Sequence, residues 1–430
     1  MRIILTRLHL FIILIGYHSA LWATEQDWGL GAFVRHAEIP FATQSDTVTS
    51  FVPMMFYQGE HFFIKGTEGG MHFWQDSHNE INVIGRLRFF DIPAQYQNAV
   101  QGDTIDIGLQ WHHQLNAQTH LDSEILSDLN GDIYGQFTAK QRYESGRWEW
   151  MPEIGARLKT SAFNSRYYAL ELLTNESIGA GIEFNTKLTG RYHVGSNFYL
   201  LGSIGANTLD QNAKHASATD KDWQAEAYLG FALFNDKTQT KKKHLRQSGY
   251  IRAAHGWATP SNIGEILSGN TVKDQYNNQL TSIFYGLPLT DEVLGMPLDV
   301  YLTPGFVFHH ESQVQERIEE YVLGIKAYYT FSWPVRWRLG VAEGLSYVSD
   351  ITYIERSEME RKGYRPSELL NYLDFTIDVN LGDVFNISQW KKTWLGYSIH
   401  HRSAIFESAS QFGRIKGGSN YNTLYIQVHF

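Results

Sequence analysis

Alternation with a period of two, sustained over about ten residues and bounded by turns, most limits what this chain can fold into. From Tyr372 to Leu381, the residues Leu373, Phe375, Ile377, Val379 and Leu381 fall on one face, with Asp374, Thr376, Asp378 and Asn380 on the other. Successive side chains of a strand point to opposite faces, so one side is apolar and the other is wet. The pattern recurs in 177–189, where Ile178, Ala180, Ile182 and Phe184 oppose Gly179, Gly181, Glu183 and Asn185. It recurs in 222–234, with Trp223, Ala225, Ala227, Leu229, Phe231 and Leu233 set against Gln224, Glu226 and Tyr228. The last segment sets Leu424, Ile426, Val428 and Phe430 against Thr423, Tyr425, Gln427 and His429.

Soluble β-sandwiches also alternate. Long strands, aromatic residues near the ends of their apolar faces and a C-terminal phenylalanine favour a lipid-facing barrel instead. Closure satisfies every backbone group where water is absent. No uncharged apolar run approaches the ~20 residues of a helical span after residue 23, which excludes transmembrane helices. The fold class expected is all-β: transmembrane antiparallel barrels following a cleaved signal peptide.

That signal is read from Arg2 and Arg7, the apolar run 8–17 (LHLFIILIGY) and the small residues of Ser19-Ala20-Leu21-Trp22-Ala23, with cleavage after Ala23. The chain has no cysteine, so export brings no disulfide stabilisation. With 36 basic and 45 acidic side chains it carries no net basic charge, and nucleic acid is not an expected partner.

Strand counting gives about twelve candidates before residue 235 and about eight after 247. Between them, residues 236–247 are polar and strongly basic, within the stretch NDKTQTKKKHLRQ that starts at Asn235. The expected division is therefore a signal (1–23), a first barrel (24–235), a basic linker (236–247) and a second barrel (248–430). The competing arrangement is one barrel of about twenty strands with a charged turn inside it.

The first half resembles the MipA/OmpV outer-membrane family. The residues carrying this are Asp27-Trp28-Gly29-Leu30-Gly31, Phe51-Val52-Pro53-Met54-Met55-Phe56-Tyr57, Gly59-Glu60-His61-Phe62-Phe63-Ile64-Lys65-Gly66, and Tyr167-Tyr168 with the strands that follow. The resemblance implies a Gram-negative outer-membrane protein, non-catalytic, acting in envelope integrity or as a scaffold in peptidoglycan remodelling. Its implied partners are a murein hydrolase or other cell-wall enzyme and the lipids of the outer membrane, including lipopolysaccharide.

The second half resembles the PagL-like lipid A 3-O-deacylases, eight-stranded barrels, through Tyr397-Ser398-Ile399-His400-His401-Arg402-Ser403. That family uses a His-x-Ser pair on a late strand and a Glu on the last strand. His401 and Ser403 match the pair and, two apart, share the lipid-facing side of Leu395, Tyr397 and Ile399. His401 would take the Ser403 proton and Ser403 would attack an acyl ester. The match then departs: Ser419 to Phe430 contains no acidic residue, and Ala404 stands where the family usually has an Asn. Glu407 is the nearby carboxylate that could orient His401, with Asn420 or Ser419 as weaker substitutes. The plainer reading of His401, Arg402 and Ser403 is a polar rim at headgroup level. A small-solute pore is a third reading, confined to the larger first barrel because eight strands enclose only side chains.

Other clusters carry less. The pairs His112-His113, His309-His310 and His400-His401 should split between opposite faces, and no metal site is expected of them. Glu343 is expected in the lumen, and Glu316 to Glu320 and Glu355 to Arg365 as solvated loops. No phosphate-binding glycine loop is present, and no cofactor is expected.

Overall fold

The computed structural model describes residues 28–42, 46–89, 91, 104–236, 245–362, 366–403 and 418–430. The signal segment, most of the basic linker and Glu407 lie outside them.

Strands β1 (Trp28–Glu38) to β13 (Trp223–Phe234) form one antiparallel sheet closed on itself. β13 returns to β1, with Gly29 opposite Phe234 and Ala37 opposite Glu226. β8 (Ile133–Gln141) and β9 (Tyr143–Ser145) pair successively along β10 (Trp148–Lys159), so together they make one interrupted stave and the barrel has twelve. Strands β14 (Tyr250–Thr259) to β21 (Gly418–His429) close into a second barrel of eight, β21 pairing with β14. Two barrels, rather than one of about twenty staves, satisfy the backbone without any free edge.

Because both stave numbers are even, each barrel begins and ends at the same end of its axis. The longest connections (160–180, 209–222, 260–278 and 349–368) gather at one end; the other carries the short ones (146–147, 196–197 and 332–336) and the twelve-residue 381–392. In outer-membrane barrels the long loops are extracellular and the short turns periplasmic.

The alternation is realised as expected. In β19 (Leu369–Asn380), Asp374, Thr376 and Asp378 are buried in the lumen and Ile377 is exposed outward. In β13, Leu229 and Phe231 face out. In β21, Leu424, Ile426 and Val428 face out while Thr423, Tyr425, Gln427 and His429 are buried. Leu381 departs from the pattern: Asn380 ends the strand by capping the short helix at Leu381–Val384, its side chain accepting the N–H of Asp383. Ile178 and Ala180 likewise precede β11 (Gly181–Gly195), in which Ile182 and Phe184 face out and Glu183 is buried. Outward aromatics mark both rims: Trp111, Trp148, Trp150 and Tyr329 near the short turns, Trp223, Tyr321 and Tyr347 near the long loops. Such girdles sit at the two membrane interfaces.

The lumen of the eight-stranded barrel is filled by side chains. Arg338 of β18 (Trp337–Val348) pairs with Asp378 through two hydrogen bonds of 2.9 and 2.7 Å, and Tyr425 donates to the same carboxylate at 2.6 Å. One layer along, Asp374 receives Arg252 at 2.5 Å and Lys326 at 3.0 Å. Toward the long loops, Glu320 accepts from His309 at 2.8 Å, His400 at 3.1 Å and Ser346 at 2.6 Å. Buried charges persist only when paired in this way. Gly286 leaves room for one of the aromatic rings, since a Cβ there would lie 2.1 Å from Cε1 of Tyr250.

Two expectations fail here for one reason. Glu320 is fully buried in β17 (Ile318–Phe331), and Glu355 is fully buried at the start of the helix Tyr353–Lys362, where Arg402 reaches it at 2.5 Å. Local charge density signals solvation only when the segment's partners are solvent. Here the partners are groups of the closed, polar lumen: Glu320 enters it from a strand, and Glu355 is held on Arg402 from the helix.

The twelve-stranded barrel is closed at its long-loop mouth by an apolar cluster. Phe163, Tyr167 and Tyr168 from the 160–180 connection pack on the lumen residues Phe63, Ile84 and Tyr134. Asp128 takes the Tyr167 hydroxyl and Asp132 pairs with Arg166, while the Arg88 guanidinium lies 4.1 Å from the Tyr167 ring centroid. Lys159 joins Glu183 (2.9 Å) to Asp210 (2.7 Å) in the same layer.

Candidate outer-rim site

β20 (Thr393–Ser403) carries Ser398, His400 and Arg402 into the lumen, and Leu395, Tyr397, Ile399, His401 and Ser403 onto the outward face. The expected sharing of a face by His401 and Ser403 therefore holds. Both stand at the long-loop end of the strand, at the level of the outer leaflet.

His401 and Asn420 are directly opposite in the β20–β21 pair, and Nδ1 of His401 lies 2.6 Å from Oδ1 of Asn420. The amide is fixed from its other side, because Nδ2 of Asn420 donates to the carbonyl of Ser261 at 2.8 Å. An amide whose nitrogen faces a carbonyl must present its oxygen to the imidazole, so His401 carries its proton on Nδ1. Nε2 is then a free base. The contact recorded for His401 runs to Asn420, and no hydrogen bond joins it to Ser403 among the described residues. Glu407 lies outside the described residues, so its expected role as orienter rests on the sequence alone.

The surrounding rim is polar and ordered by the 260–278 connection. Tyr397 donates to Asn422 at 2.6 Å, and Asn422 donates to Thr271 at 2.8 Å. Farther round, His255, Thr281 and His310 form a chain with contacts of 3.0 and 2.8 Å.

On the other side of Ser403 stands Asn371 of β19, its direct cross-strand partner and also outward-facing. Sequence reasoning missed Asn371, because nothing local reveals which residue of a neighbouring strand falls in register. Glu343 is a correction. It lies outward on β18, not in the lumen, since Arg338, Ala342 and Ser346 take the inward positions of that strand. Asn371 lies beside it on the neighbouring strand, also outward-facing.

The adjacent histidines separate as expected: His309 and His400 are buried in the lumen, and His310 and His401 lie outside it. In the first barrel, however, His112 meets His120 and Asp122, their ligand-capable atoms lying within 4.8 Å of one another. Asp122 is already committed to Lys140 at 2.9 Å and to His112 at 2.7 Å, which makes the trio a lumen polar network.

Residues 28–233 match the family described as MltA-interacting protein MipA. The MltA-interacting protein of Escherichia coli (strain K12) is 23% identical over 234 residues, covering 49% of this chain and 91% of that protein. The putative outer membrane protein YiaT of the same strain is 22% identical over 219 residues, covering 46% of this chain and 87% of that protein. Among solved structures, LpxR from Salmonella typhimurium gives a TM-score of 0.19 at 10% identity, covering 70% of this chain and 90% of that one. OprB from Pseudomonas putida gives a TM-score of 0.26 at 8% identity, covering 94% of each chain. These two likenesses are too slight to bear on activity. The twelve-stranded barrel is thus similar to the MipA family over residues 28–233, and the chain that carries it beside a second barrel is an outer-membrane protein.

Proposed function

We propose that the protein is a non-catalytic envelope scaffold whose periplasmic face holds a murein hydrolase or another cell-wall enzyme. The observation carrying this reading is the match of residues 28–233 to a family described by its interaction with such a partner. The short turns face the periplasm in the orientation set by loop lengths, as do Phe234 and Tyr250, the strand ends that flank the basic sequence 236–247, and an acidic surface would suit that sequence. Crosslinking in intact cells followed by affinity capture of the full chain tests it. Recovery of a cell-wall hydrolase is expected, and recovery lost on replacing the basic linker residues by serine would locate the contact. Capture free of any cell-wall enzyme would remove the reading.

A second reading is favoured by the His401–Asn420 hydrogen bond: an acyl-ester hydrolase acting on lipopolysaccharide in the outer leaflet. Nε2 of His401 would accept the Ser403 proton as Oγ forms a bond to the ester carbonyl carbon. On collapse of the tetrahedral intermediate, the lipid alkoxide would leave with the proton held by His401. Water would then hydrolyse the acyl-serine by the same base. Mass spectrometry of lipid A from cells carrying the wild-type chain or Ser403→Ala tests this. Identical acylation in the two would dismiss it.

A further inference from the structure

The outward faces of the two barrels meet. Trp28, Met55 and Ile64 of the first pack with Val300, Leu302 and Ile325 of the second, and the Leu294 N–H donates to Oδ1 of Asn197 at 2.9 Å. Toward the long-loop end the two walls part, leaving a narrow, largely apolar crevice. One wall is Pro53, Met55 and Leu87; the other is Leu345 and Leu369, together with the polar pair Glu343 and Asn371.

A polar pair on a surface built to meet hydrocarbon is costly unless something answers it. Asn371 is 6% exposed, and its Oδ1 has no hydrogen-bond partner among the described residues. Oδ1 is an acceptor, and among the described residues no donor answers it. Asn371 lies two residues inside the long-loop end of β19, about 7 Å below it at a strand's rise per residue. With the long loops extracellular, that places it toward the headgroups of the outer leaflet. Water would satisfy Asn371 but not the apolar walls beneath it.

We infer that the crevice seats one acyl chain of lipopolysaccharide, with an N–H or O–H group at the root of that chain donating to Oδ1 of Asn371. Lipopolysaccharide carries amide and hydroxyl donors at the root of its chains, whereas glycerophospholipids carry only esters there. The occupant would therefore be selected by a donor as well as by length. The inference goes beyond the scaffold reading and does not require the hydrolytic one. If Ser403 is a nucleophile, the seated lipid brings its chain root beside it, because Asn371 and Ser403 are direct cross-strand partners.

The full chain, delipidated in detergent and carrying Ser403→Ala so that turnover is blocked, is titrated with purified lipid A or with a phosphatidylethanolamine of matched chain length. Native mass spectrometry counts the adducts. One retained lipid A per chain is expected, with about tenfold weaker retention in Asn371→Leu and in Leu345→Trp, and no change in the outward control Ile377→Trp. Met55→Trp blocks the crevice from the opposite wall and serves if either of the first two variants fails to fold, as judged by heat-modifiable gel mobility. Equal retention of both lipids, or retention unaffected by Asn371→Leu and by the blocking variants, overturns the inference. Retained lipid A with no hydrolysis by the unmodified chain would refute the hydrolase and leave the crevice site standing.

Discussion

Nδ1 of His401 and Oδ1 of Asn420 lie 2.6 Å apart across two neighbouring strands, on the side of the barrel that meets lipid. A neutral amide can fix the tautomer of an imidazole, but unlike a carboxylate it cannot stabilise the imidazolium formed during reaction. The hydrolytic reading therefore makes graded demands on this pair. Acyl release by the purified chain should fall roughly a hundredfold or more in His401→Ala and by a smaller factor in Asn420→Ala. Asn420→Glu should exceed the wild type, because it adds the missing charge. A wild type with no acyl release, or variants that all match it, would reduce the rim to headgroup binding.

Arg402 offers a stability test within the second barrel. Its side chain is fully buried, donating to Ser346 at 2.8 Å, to Glu355 at 2.5 Å and to the carbonyl of Glu368 at 2.9 Å. Removing one member of a buried pair leaves the other uncompensated, at about 3–5 kcal/mol. Arg402→Met should thus lower the midpoint of heat-modifiability sharply. Arg402→Met combined with Glu355→Met should recover much of the loss. Additive losses in the double variant would mean that the two do not act as a pair.

Acid should release the cap of the first barrel. Burial raises the Asp128 carboxyl, but the Tyr167 hydroxyl and the backbone N–H of Asp132 outweigh it and hold the group below the usual carboxylate range. Asp210 behaves alike, with burial opposed by Lys159 and the Ala213 N–H. A depressed carboxyl contributes stability that is present above its unfolded value and lost as pH falls through the folded one. The near-ultraviolet dichroism of the packed Phe163, Tyr167 and Tyr168 rings should therefore hold from neutrality down to about pH 4 and decay below it. A signal unchanged at lower pH would mean that these carboxylates do not hold the cap.

Much of the fold was legible because a strand's side-chain period is two and needs no knowledge of neighbours. Ile377 and Leu424 could be placed outward, and Asp378 and Gln427 inward, from spacing alone. His401 and Ser403 sharing a face followed from the same rule. What failed were properties of pairing. The lumen burial of Glu320, the docking of Glu355 on Arg402 and the register that sets Asn371 beside Ser403 each join segments distant in sequence. Glu343 was misplaced because its face was judged from its charge, although the phase of its own strand, with Leu339, Val341 and Leu345 beside it, already put it outside.

That phase can be tested by a single charge. Ile377 is 47% exposed on an apolar face, three residues inside the short-turn end of β19, while its neighbours Thr376 and Asp378 point into the lumen. On a face bathed in hydrocarbon, Ile377→Arg should be destabilising, by less than the ~2–4 kcal/mol of a charge at the midplane. On a face bathed in water it would be close to neutral. Equilibrium unfolding from lipid vesicles, with Thr393→Arg at the strand end near the short turns as the shallow control, measures the difference. A loss at position 377 well above that at 393 is expected, since the cost of a charge falls toward the interface. Equal and small effects at both sites would mean that the apolar faces of these strands do not look onto lipid.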